Sequence, residues 1–563
     1  MKSVSRLTTG LSVCVAAAMT VGVLASAASP KFYDDDPVAV ERNTQDASGV
    51  RPSEIDLQVD LAYNVFASPG DRDVNVRAKN INTIDQVPDS SWYSNRLGHV
   101  SLTADAVARG VDTTDGPVPG PWTLTASKSD GVTPGFTITD QSGQRWFLKF
   151  DPPGHRGMAT GTEVVVTKLM WALGYNVAEN HIAFMHREQI VVADNARFTP
   201  VIGNSRRMQL ADVDALLKRA EPEPDGSYRV IASKALEGMP LGGFRFYDTR
   251  PDDPNDIVPH EHRRELRGYG VFAAWLNHVD AKAINSLDTL VSENGRSVVR
   301  HHLLDFGSAL GSGGVAPSQY WEGREYLIET DQITRQILGL GFLFPSWHRI
   351  DFYEAPAIGR LPRDNTRFQP ERWKPRIPNQ AFLRARPDDQ FWAAERLAMI
   401  TDEILRAVVR TGRFNDPESE SFLVSALGER RDAIVQAYLT NVNPVVTPAM
   451  DDSGTLTFHN AATDRGVAAA PGGYRARWLT FDNTTLETRL IAETAAAVSR
   501  MPAPAGIPTL SRSIMKIEVS ATAAPYPSWD APVDLYFRRF DREWRLIGLE
   551  RMPDGREIQA ERR

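Results

Sequence analysis

Apolar and polar residues alternate between positions 120 and 150, and this pattern predicts three short strands. They cover residues 122–125, 136–139 and 146–150, and Gly-bearing turns separate them. A helix is predicted directly afterwards, from residue 162 to about 173, where Gly174 ends it. This part of the chain is therefore expected to form an antiparallel sheet followed by a helix.

The rest of the chain mixes strands and helices, so the fold class is predicted to be α+β. The remaining predicted elements, in chain order, are strands at 182–184, 190–192 and 228–232 around a helix near 209–220, a helix over 260–276, a hairpin of 287–291 and 298–304 around the Asn294-Gly295 turn, helices over 388–410 and 418–440, a helix over 486–498, and a last hairpin of 533–537 and 544–549. Between them, the stretch 308–385 is irregular and rich in Gly, Pro and aromatic residues.

The N-terminal part has a different character. Residues 29 to about 110 are polar and turn-rich, with only short elements such as 56–61, which indicates an extended arm. Trp92 and Tyr93 lie within this segment, and we expect both aromatic side chains to dock on the main body of the protein.

Composition and charge exclude several classes of protein. The chain has 563 residues, of which 42% are hydrophobic and 24% charged, so it is not collagen-like, coiled-coil or wholly disordered. Its net charge of −8 argues against a nucleic-acid partner. A chain of this length is expected to form roughly two to four domains.

The first residues have the features of an export signal. Lys2 and Arg6 precede an apolar run over 11–24, and Ala25-Ser26-Ala27 supplies the small residues that a signal peptidase requires. Cleavage is predicted near Ala27, which gives a periplasmic or secreted protein. The apolar run is too short to cross a hydrocarbon core of ~30 Å, so the protein is not expected to span a membrane. Cys14, the only cysteine, would leave with the signal.

A set of chemical groups suited to phosphoryl transfer occurs in one order along the chain. Such a transfer requires positioning and stabilisation of the spread negative charge of the phosphoryl group. Lys149, the only charge within 146–150, would present a cation, and Glu163 would be its carboxylate partner. Asp280 and Asn285 supply a carboxylate and an amide, and Asp305 supplies a second carboxylate at a strand end.

The motifs that these residues form resemble those of the protein-kinase-like superfamily. His278-x-Asp280-x-Lys282-x-x-Asn285 is similar to the catalytic loop of protein kinases and to that of aminoglycoside phosphotransferases. Asp305-Phe306-Gly307 resembles the metal-binding motif of protein kinases. Secreted kinase-like families, such as spore-coat and secretory-pathway kinases, also fit the export signal.

The resemblance implies a domain organisation. It covers about 115–445 and implies a two-lobed protein-kinase-like fold. The predicted segments are a signal peptide over 1–27, an extended N-terminal arm over 28–114, an N-lobe over 115–240, a C-lobe over 241–445 and a β-rich C-terminal accessory domain over 446–563.

The resemblance also implies how ATP, or another nucleotide, would bind. Lys149 would hold the α- and β-phosphates and Glu163 would pair with Lys149. No Gly-x-Gly-x-x-Gly loop precedes Lys149, and Gly131 and Gly135 would cover the phosphates in its place. Residues 232–236 would receive the adenine.

The remaining roles concern the reaction itself. By the resemblance, Asp280 would be the catalytic base and Lys282 would steady the γ-phosphate. Asn285 and Asp305 would hold Mg²⁺. His278 is expected to hold the loop in place. The resulting hypothesis is an exported phosphotransferase that moves a phosphoryl group from a nucleotide to a hydroxyl of a protein or a small molecule.

Each of these assignments has an alternative that the sequence leaves open. The protein could be a binding or scaffolding protein of the bacterial cell envelope, with a kinase fold but no catalysis. Lys149 could be a solubilising residue of an edge strand, and Glu163 a carboxylate in the first turn of its helix. His260, His262 and Glu265, together with His301 and His302, could form a metal site, since the spacing of His262 and Glu265 permits shared ligation on a helix face. A solvated helix start is the expectation there.

A last alternative concerns the aromatic residues of 320–373. They could bind an extended ligand, or they could pack the irregular stretch onto the body of the protein.

Overall fold

A seven-stranded sheet forms the first large element of the fold. The computed structural model describes residues 29–552, except for 74, 99, 128–133, 201–203, 330–333 and 335–344. The strands of this sheet are β1 (Trp122–Ser127), β2 (Gly135–Thr139), β3 (Arg145–Phe150), β4 (Asn180–Met185), β5 (Ile190–Phe198), β6 (Arg206–Arg207) and β7 (Tyr228–Lys234). Their spatial order is β4-β7-β3-β2-β1-β5-β6, and β3 pairs antiparallel with both of its neighbours. The three strands predicted first are confirmed.

The helices of this half of the chain are short, except for one. They are α1 (Leu57–Ala62), α2 (Ala104–Arg109), α3 (Met158–Ala172) and α4 (Leu210–Leu217). Helix α3 begins four residues earlier than its sequence pattern predicted. Asp151, at the end of the preceding strand, accepts hydrogen bonds from the backbone nitrogens of Gly157, Ala159 and Thr160. These bonds satisfy the free N–H groups of the first turn, so the helix extends backward to Met158.

The middle of the chain contains a small sheet and a buried helix. Helix α5 (Arg264–Leu276) follows the short 3₁₀ turn His260–His262. Strands β8 (Met239–Gly242), β9 (Ser286–Glu293) and β10 (Arg296–Leu303) form a three-stranded antiparallel sheet. The predicted hairpin is confirmed: Asn294 and Gly295 have φ values of 50° and 78°, as a two-residue turn between twisted strands requires.

The long irregular stretch ends in a group of helices. Its described residues include a two-stranded hairpin, β11 (Phe352–Ala355) with β12 (Gly359–Pro362). The helices that follow are α6 (Gln380–Leu383), α7 (Pro387–Leu397), α8 (Asp402–Thr411) and α9 (Pro417–Leu439). The single helix predicted over 388–410 is therefore two helices. Thr401 separates them, because its side-chain oxygen accepts a hydrogen bond from the backbone nitrogen of Ile404 and caps α8.

The C-terminal part consists mainly of strands. Its elements are β13 (Val445–Met450), β14 (Leu456–Asn460), α10 (Ala461–Asp464), β15 (Gly473–Phe481), β16 (Thr488–Ala496), β17 (Arg500–Met501), β18 (Ile514–Thr522), β19 (Val533–Phe540) and β20 (Glu543–Glu550). Five of these strands form one antiparallel sheet in the order β16-β15-β18-β19-β20, and β13, β14 and β17 form another.

The prediction of a helix over 486–498 is wrong, because residues 488–496 form the edge strand β16. The segment is rich in Ala and Glu, which favour helices. In the structure it pairs antiparallel with β15 from Tyr474 opposite Ala496 to Phe481 opposite Thr488. Hydrogen bonding along the whole ladder therefore overrides the local helix propensity.

The N-terminal segment lies across the rest of the protein. Trp92 and Tyr93 are buried, as predicted, and the Trp92 ring stacks on His301 with a centroid distance of 3.4 Å. Further toward the N-terminus, Phe32 packs on Phe481 and Tyr536 of the C-terminal sheet. None of the helices in the described ranges is long and apolar enough to cross a membrane.

The start of α5 is not a solvated helix face, so that expectation is wrong. His262, Arg263, Arg264, Glu265 and Arg267 are all buried. They are enclosed because Asp85 and Asn80 of the N-terminal segment and two aspartates of α7 cover them. Among the described residues, no group of three or more His, Cys, Asp or Glu side chains is arranged to hold a metal ion. The histidines of this region instead take part in ion pairs and ring contacts.

Candidate active site

Lys149 lies in the interior of the seven-stranded sheet. On β3 it is directly opposite Gly135 of β2 and Ile231 of β7, so its strand has a neighbour on both sides. The interpretation of Lys149 as a solubilising edge-strand residue is therefore wrong. Its side chain is 21% exposed, and its ammonium group contacts two carboxylates from distant parts of the chain.

Glu163 is the first of these carboxylates. It lies beyond the first turn of α3, and its side chain is only 4% exposed, so it is not a solvated N-terminal carboxylate of the helix. One oxygen lies 3.5 Å from the Lys149 Nζ atom. The other accepts a hydrogen bond of 3.1 Å from the backbone nitrogen of Phe306. Glu163 therefore joins β3 to the segment that contains Asp305.

Asp305 is the second carboxylate, and its Oδ1 atom lies 2.8 Å from Lys149 Nζ. Its backbone has a φ of 58°, a left-handed conformation that Asp tolerates better than most residues. The next residue, Phe306, is buried against the His278 ring, and the two ring centroids are 5.4 Å apart. A Cβ atom on Gly307 would lie 3.2 Å from a Glu163 oxygen, so glycine allows this close approach.

The two carboxylates stabilise the positive charge of Lys149. Burial alone would lower the pKa of Lys149, but the negative charges of Asp305 and Glu163 outweigh it, and the pKa is raised. Burial raises the pKa of Glu163, and the positive charge of Lys149 only partly offsets it. Lys149 is therefore a permanent cation, held at the end of β3 by two carboxylates.

Asp280 is the centre of a second cluster, on the loop after α5. One carboxylate oxygen lies 2.8 Å from Lys282 Nζ and 3.3 Å from a guanidinium nitrogen of Arg376. The other oxygen accepts a hydrogen bond of 3.0 Å from Asn285 Nδ2, which also donates to the Asp280 backbone oxygen. Lys282 and Asn285 thus fix the orientation of the Asp280 carboxylate.

The two clusters are joined through the backbone. Leu304, next to Asp305, donates a hydrogen bond of 2.9 Å to the backbone oxygen of Asn285. This contact closes the base of the β9–β10 hairpin, so the loop with Asp280 and the loop with Asp305 emerge side by side. The structure therefore brings together Lys149, Glu163, Asp305, Asp280 and Asn285 through a continuous set of contacts.

His278 has a structural role in this loop, as expected. Its ring is buried between Phe306 and Tyr269, and its Nδ1 atom contacts the Ser308 backbone oxygen at 3.3 Å. Burial lowers the pKa of His278 to about 4, so the ring is neutral near pH 7.

Of the two glycines predicted to cover the phosphates, Gly131 and Gly135, the structure describes only Gly135. Gly135 begins β2 directly opposite Lys149, so no side chain from this position covers the ammonium group. Gly131 lies outside the described residues. Downstream, the residues predicted to receive the adenine, 232–236, cover the end of β7 and the start of the segment 235–238, which connects β7 of the large sheet to β8 of the small one.

Sequence reasoning missed Arg376 as a member of the site. Its backbone nitrogen donates a hydrogen bond of 2.8 Å to the Val279 oxygen, and its side chain lies between Asp280 and Glu322. Arg376 lies within the irregular stretch 308–385, about a hundred residues after Asp280, and has no motif around it. The contact of Arg376 with Asp280 is visible only in the folded structure, where the buried Glu322 binds the same guanidinium group.

The donor atoms of the site fit a hard divalent cation. Asp305 supplies carboxylate oxygens, and the hydrogen bonds of the Asn285 amide to Asp280 use its nitrogen, so the amide oxygen is on the other side of the group. Mg²⁺ is usually bound by one or two carboxylates together with substrate phosphates. This small oxygen set therefore suits Mg²⁺ bound together with a nucleotide.

Three solved structures that the chain matches are structures of kinases. It is 13% identical to the Helicobacter pylori proinflammatory kinase CtkA, with 56% of this chain and 96% of that chain covered and a TM-score of 0.28. It is 10% identical to the Golgi casein kinase, covering 72% of this chain and 95% of that one (TM-score 0.26). The same kinase with Mn/ADP bound also matches at 10% identity, with coverage of 71% and 96% and a TM-score of 0.26.

No family model and no curated protein matches the chain. All three TM-scores are below 0.3, so the resemblance to protein-kinase-like proteins rests on the sequence motifs and not on these matches. The roles of individual residues rest on the geometry described above.

Proposed function

We propose that this chain is an exported phosphotransferase of the protein-kinase-like class, which transfers a phosphoryl group from ATP or another nucleotide to a hydroxyl group. The observation that carries the proposal is the position of Lys149 between Glu163 and Asp305. A scaffold does not require a cation held beside a half-exposed carboxylate. A nucleotide site requires both, one for the phosphates and one for the metal.

The proposal includes a two-lobed arrangement. The seven-stranded sheet with α3 would be the N-lobe, and α5 to α9 with the β8–β10 sheet would be the C-lobe. The C-terminal strands would form an accessory part. The nucleotide would bind between the lobes, where Lys149 from one meets Asp305 from the other.

Asp280 is suited to accept the proton of the acceptor hydroxyl. An ionised carboxylate offers about four acceptor positions. Lys282, Arg376 and Asn285 occupy three of them, so one remains for the hydroxyl group. Lys282 is also placed to compensate charge that develops on the transferred group. Mg²⁺, held by Asn285 and Asp305, would neutralise the phosphate charge.

Nucleotide binding can be tested by thermal unfolding of the full-length protein with and without ATP and Mg²⁺. The wild type is expected to be stabilised, by about 2.7 kcal/mol at a hundredfold excess over Kd. Asp305→Asn should lose this shift, and Asp432→Asn, an exposed aspartate far along α9, should keep it. No shift in the wild type would favour the scaffolding protein instead.

Catalysis needs a separate measurement. Product formation from labelled ATP is expected in the wild type and should fall by at least a hundredfold in Asp280→Asn, while the ATP-dependent thermal shift remains. Export is tested by the mass of the protein recovered outside the cytoplasm, which is expected to begin near Ala28. Recovery of the intact N-terminus there would contradict cleavage.

A further inference from the structure

A large cavity lies next to the Asp280 loop, on the side of the irregular stretch. Its volume is about 960 Å³, within the range of small-molecule sites. Seven of its lining side chains are Arg or Lys and four are Asp or Glu. The chain as a whole carries a net charge of −8, so the excess of positive charge in this cavity is a local feature.

The acidic residues of the cavity are already engaged. Glu329 binds Lys374 at 2.7 Å. Asp351 pairs with Arg363 and Asp364 with Arg367 at the rim. Glu325 accepts a hydrogen bond of 2.6 Å from the Trp347 indole nitrogen. The acidic groups therefore leave part of the positive charge uncompensated.

Arg430 and Arg324 are the inner cations of the cavity. Arg430 is buried, donates to the backbone oxygens of Ala274 and Trp275, and lies 3.6 Å over the Phe368 ring. Arg324 donates to the Glu322 backbone oxygen. Arg324 is half-buried and its positive charge acts on the buried Arg430. Neither guanidinium forms an ion pair with a carboxylate of the described residues, although a buried cation without such a partner is costly.

The pKa values show the effect of this arrangement. Burial, together with the nearby positive charge of Arg324, lowers the pKa of Arg430 to about 9. Burial lowers the pKa of Arg324 to about 10. An anion placed between the two guanidinium groups would relieve both the burial cost and the repulsion.

The floor of the cavity is continuous with the catalytic loop. Trp373 donates a hydrogen bond of 3.0 Å to the side chain of Asn277, three residues before Asp280. Gly323 packs against this contact, since a Cβ atom there would lie 2.5 Å from the Asn277 oxygen. Lys374 lines the cavity, and two residues later, at most about 7 Å along the chain, Arg376 contacts Asp280.

We propose that this cavity is an anion-binding site, formed around Arg324 and Arg430, for a small molecule that carries a phosphate or carboxylate group. Trp347 and Trp373 provide flat apolar surfaces beside the two cations for the remainder of the molecule. That this molecule is the phosphoryl acceptor rests on the proposed function. In that case its anionic group would be held in the cavity while its hydroxyl group reaches Asp280.

The test is a titration of the full-length protein with inorganic phosphate, in a buffer free of other multivalent anions and without nucleotide. Tryptophan fluorescence reports on the cavity through Trp347 and Trp373, and calorimetry gives the affinity. We expect saturable binding in the wild type and at least tenfold weaker binding in Arg324→Gln. Arg545→Gln, an exposed arginine of the C-terminal sheet, is the matched control and should bind as the wild type does.

A second variant and a second anion make the test more specific. Arg430→Gln should also weaken phosphate binding at least tenfold. Because Arg430 is buried, its variant could fail to fold, and Arg324→Gln then still tests the site. Titration with citrate shows whether the site accepts carboxylates as well as phosphates. The proposal is overturned if neither anion binds saturably, or if both bind Arg324→Gln as tightly as the wild type.

Asp305→Asn distinguishes this site from the nucleotide site. It should leave phosphate binding unchanged while removing the ATP-dependent thermal shift. If it removes phosphate binding too, the anion binds between Lys149 and Asp305, and the cavity proposal fails while the proposed function stands. If phosphate binds in an Arg324-dependent way but ATP gives no shift, the anion site stands and the proposed phosphotransferase fails.

Discussion

Gly161 of α3 lies directly against Phe414, the residue that follows α8 and its turn. A Cβ atom at Gly161 would be 2.5 Å from the Phe414 ring and 2.8 Å from the Gly412 backbone oxygen. Beside this contact, the buried Arg229 of β7 donates hydrogen bonds to the backbone oxygens of Gly412 and Arg413. The helix that carries Glu163 is therefore held in place by both the sheet and the C-terminal helices, with Glu163 facing Lys149.

Replacing this glycine should disturb the site from a distance. In Gly161→Ala the new methyl group collides with Phe414, which is expected to cost about 1–3 kcal/mol of stability, as overpacking does. The displacement of α3 should also reduce the ATP-dependent thermal shift, because Glu163 moves away from Lys149.

Gly428→Ala is the matched control for this helix substitution. Gly428 lies in α9, and its nearest neighbouring atom would be 3.9 Å from a Cβ. An unhindered alanine in a helix should stabilise the protein by about 0.5–1 kcal/mol relative to glycine. Chemical denaturation of both variants checks the difference, and equal effects of the two substitutions would contradict the packing argument.

The Lys149–Glu163 pair should show a measurable coupling. Lys149→Met leaves Glu163 buried without its cation, and breaking a buried pair in this way costs about 3–5 kcal/mol. The double variant Lys149→Met/Glu163→Gln should recover part of this loss, because no uncompensated charge remains. A double-mutant cycle by urea denaturation measures the coupling, and strictly additive effects would show that the pair is not coupled.

Arg376 is expected to act as a positioning residue for Asp280. Arg376→Gln removes the charge that lies 3.3 Å from the Asp280 carboxylate but leaves the nucleotide-binding residues in place. We expect kcat to fall by one to two orders of magnitude with little change in KM for ATP. Arg376→Lys should restore part of kcat. A rise in KM for ATP with kcat unchanged would show that Arg376 serves the nucleotide rather than the loop.

Asp85 should be important for stability because it covers Arg264, a fully buried cation. Arg264 contacts Asp85 at 2.8 Å and two aspartates of α7 at 2.9 and 3.1 Å. Asparagine tolerates the left-handed backbone conformation at this position, so Asp85→Asn removes only the charge. Loss of a partner in a buried ion pair costs about 3–5 kcal/mol, and the remaining aspartates should keep the loss near the lower value.

The control for this substitution is Asp34→Asn. Asp34 also forms ion pairs, with Arg512 and Arg538, but its side chain is 68% exposed. Exposed ion pairs contribute about 0–1 kcal/mol, so its replacement should change the denaturation midpoint little. A loss for Asp85→Asn as small as that for Asp34→Asn would show that the N-terminal segment is not essential for burying Arg264.

The buried His302 should make the protein less stable in acid. Burial lowers the pKa of His302 from 6.5 to about 4 in the folded protein. The unfolded chain therefore takes up a proton, as pH falls from 6.5 to 4, that the folded protein does not bind. The contribution of His302 to the free energy of unfolding is therefore complete above pH 6.5. It decreases on acidification, by about 3 kcal/mol at pH 4.

Denaturation midpoints measured between pH 7 and 4 test this. His302→Gln should flatten the pH dependence of stability, because glutamine does not titrate. Part of the dependence should remain, since burial lowers the pKa of His278 to about 4 as well. His459→Gln, at a 70% exposed position, should follow the wild-type curve. Parallel curves for His302→Gln and the wild type would contradict the assignment.

The sequence by itself determined the local elements and the order of the chemical groups. Alternation located the strands around Lys149, the Asn294-Gly295 turn located the β9–β10 hairpin, and the motifs placed Asp280, Asn285 and Asp305 at loop positions. These features are readable because each depends on residues that are close in sequence. Side-chain periodicity and turn conformation are properties of short segments.

Only the tertiary structure shows which of these elements contact one another. The extension of α3 depends on Asp151, the strand β16 depends on pairing with β15, and the burial of Arg264 depends on Asp85 and α7. The approach of Arg376 to Asp280 joins residues about a hundred positions apart. Such contacts leave no local pattern, because their free energy comes from burial and pairing between segments that are adjacent only in the folded chain.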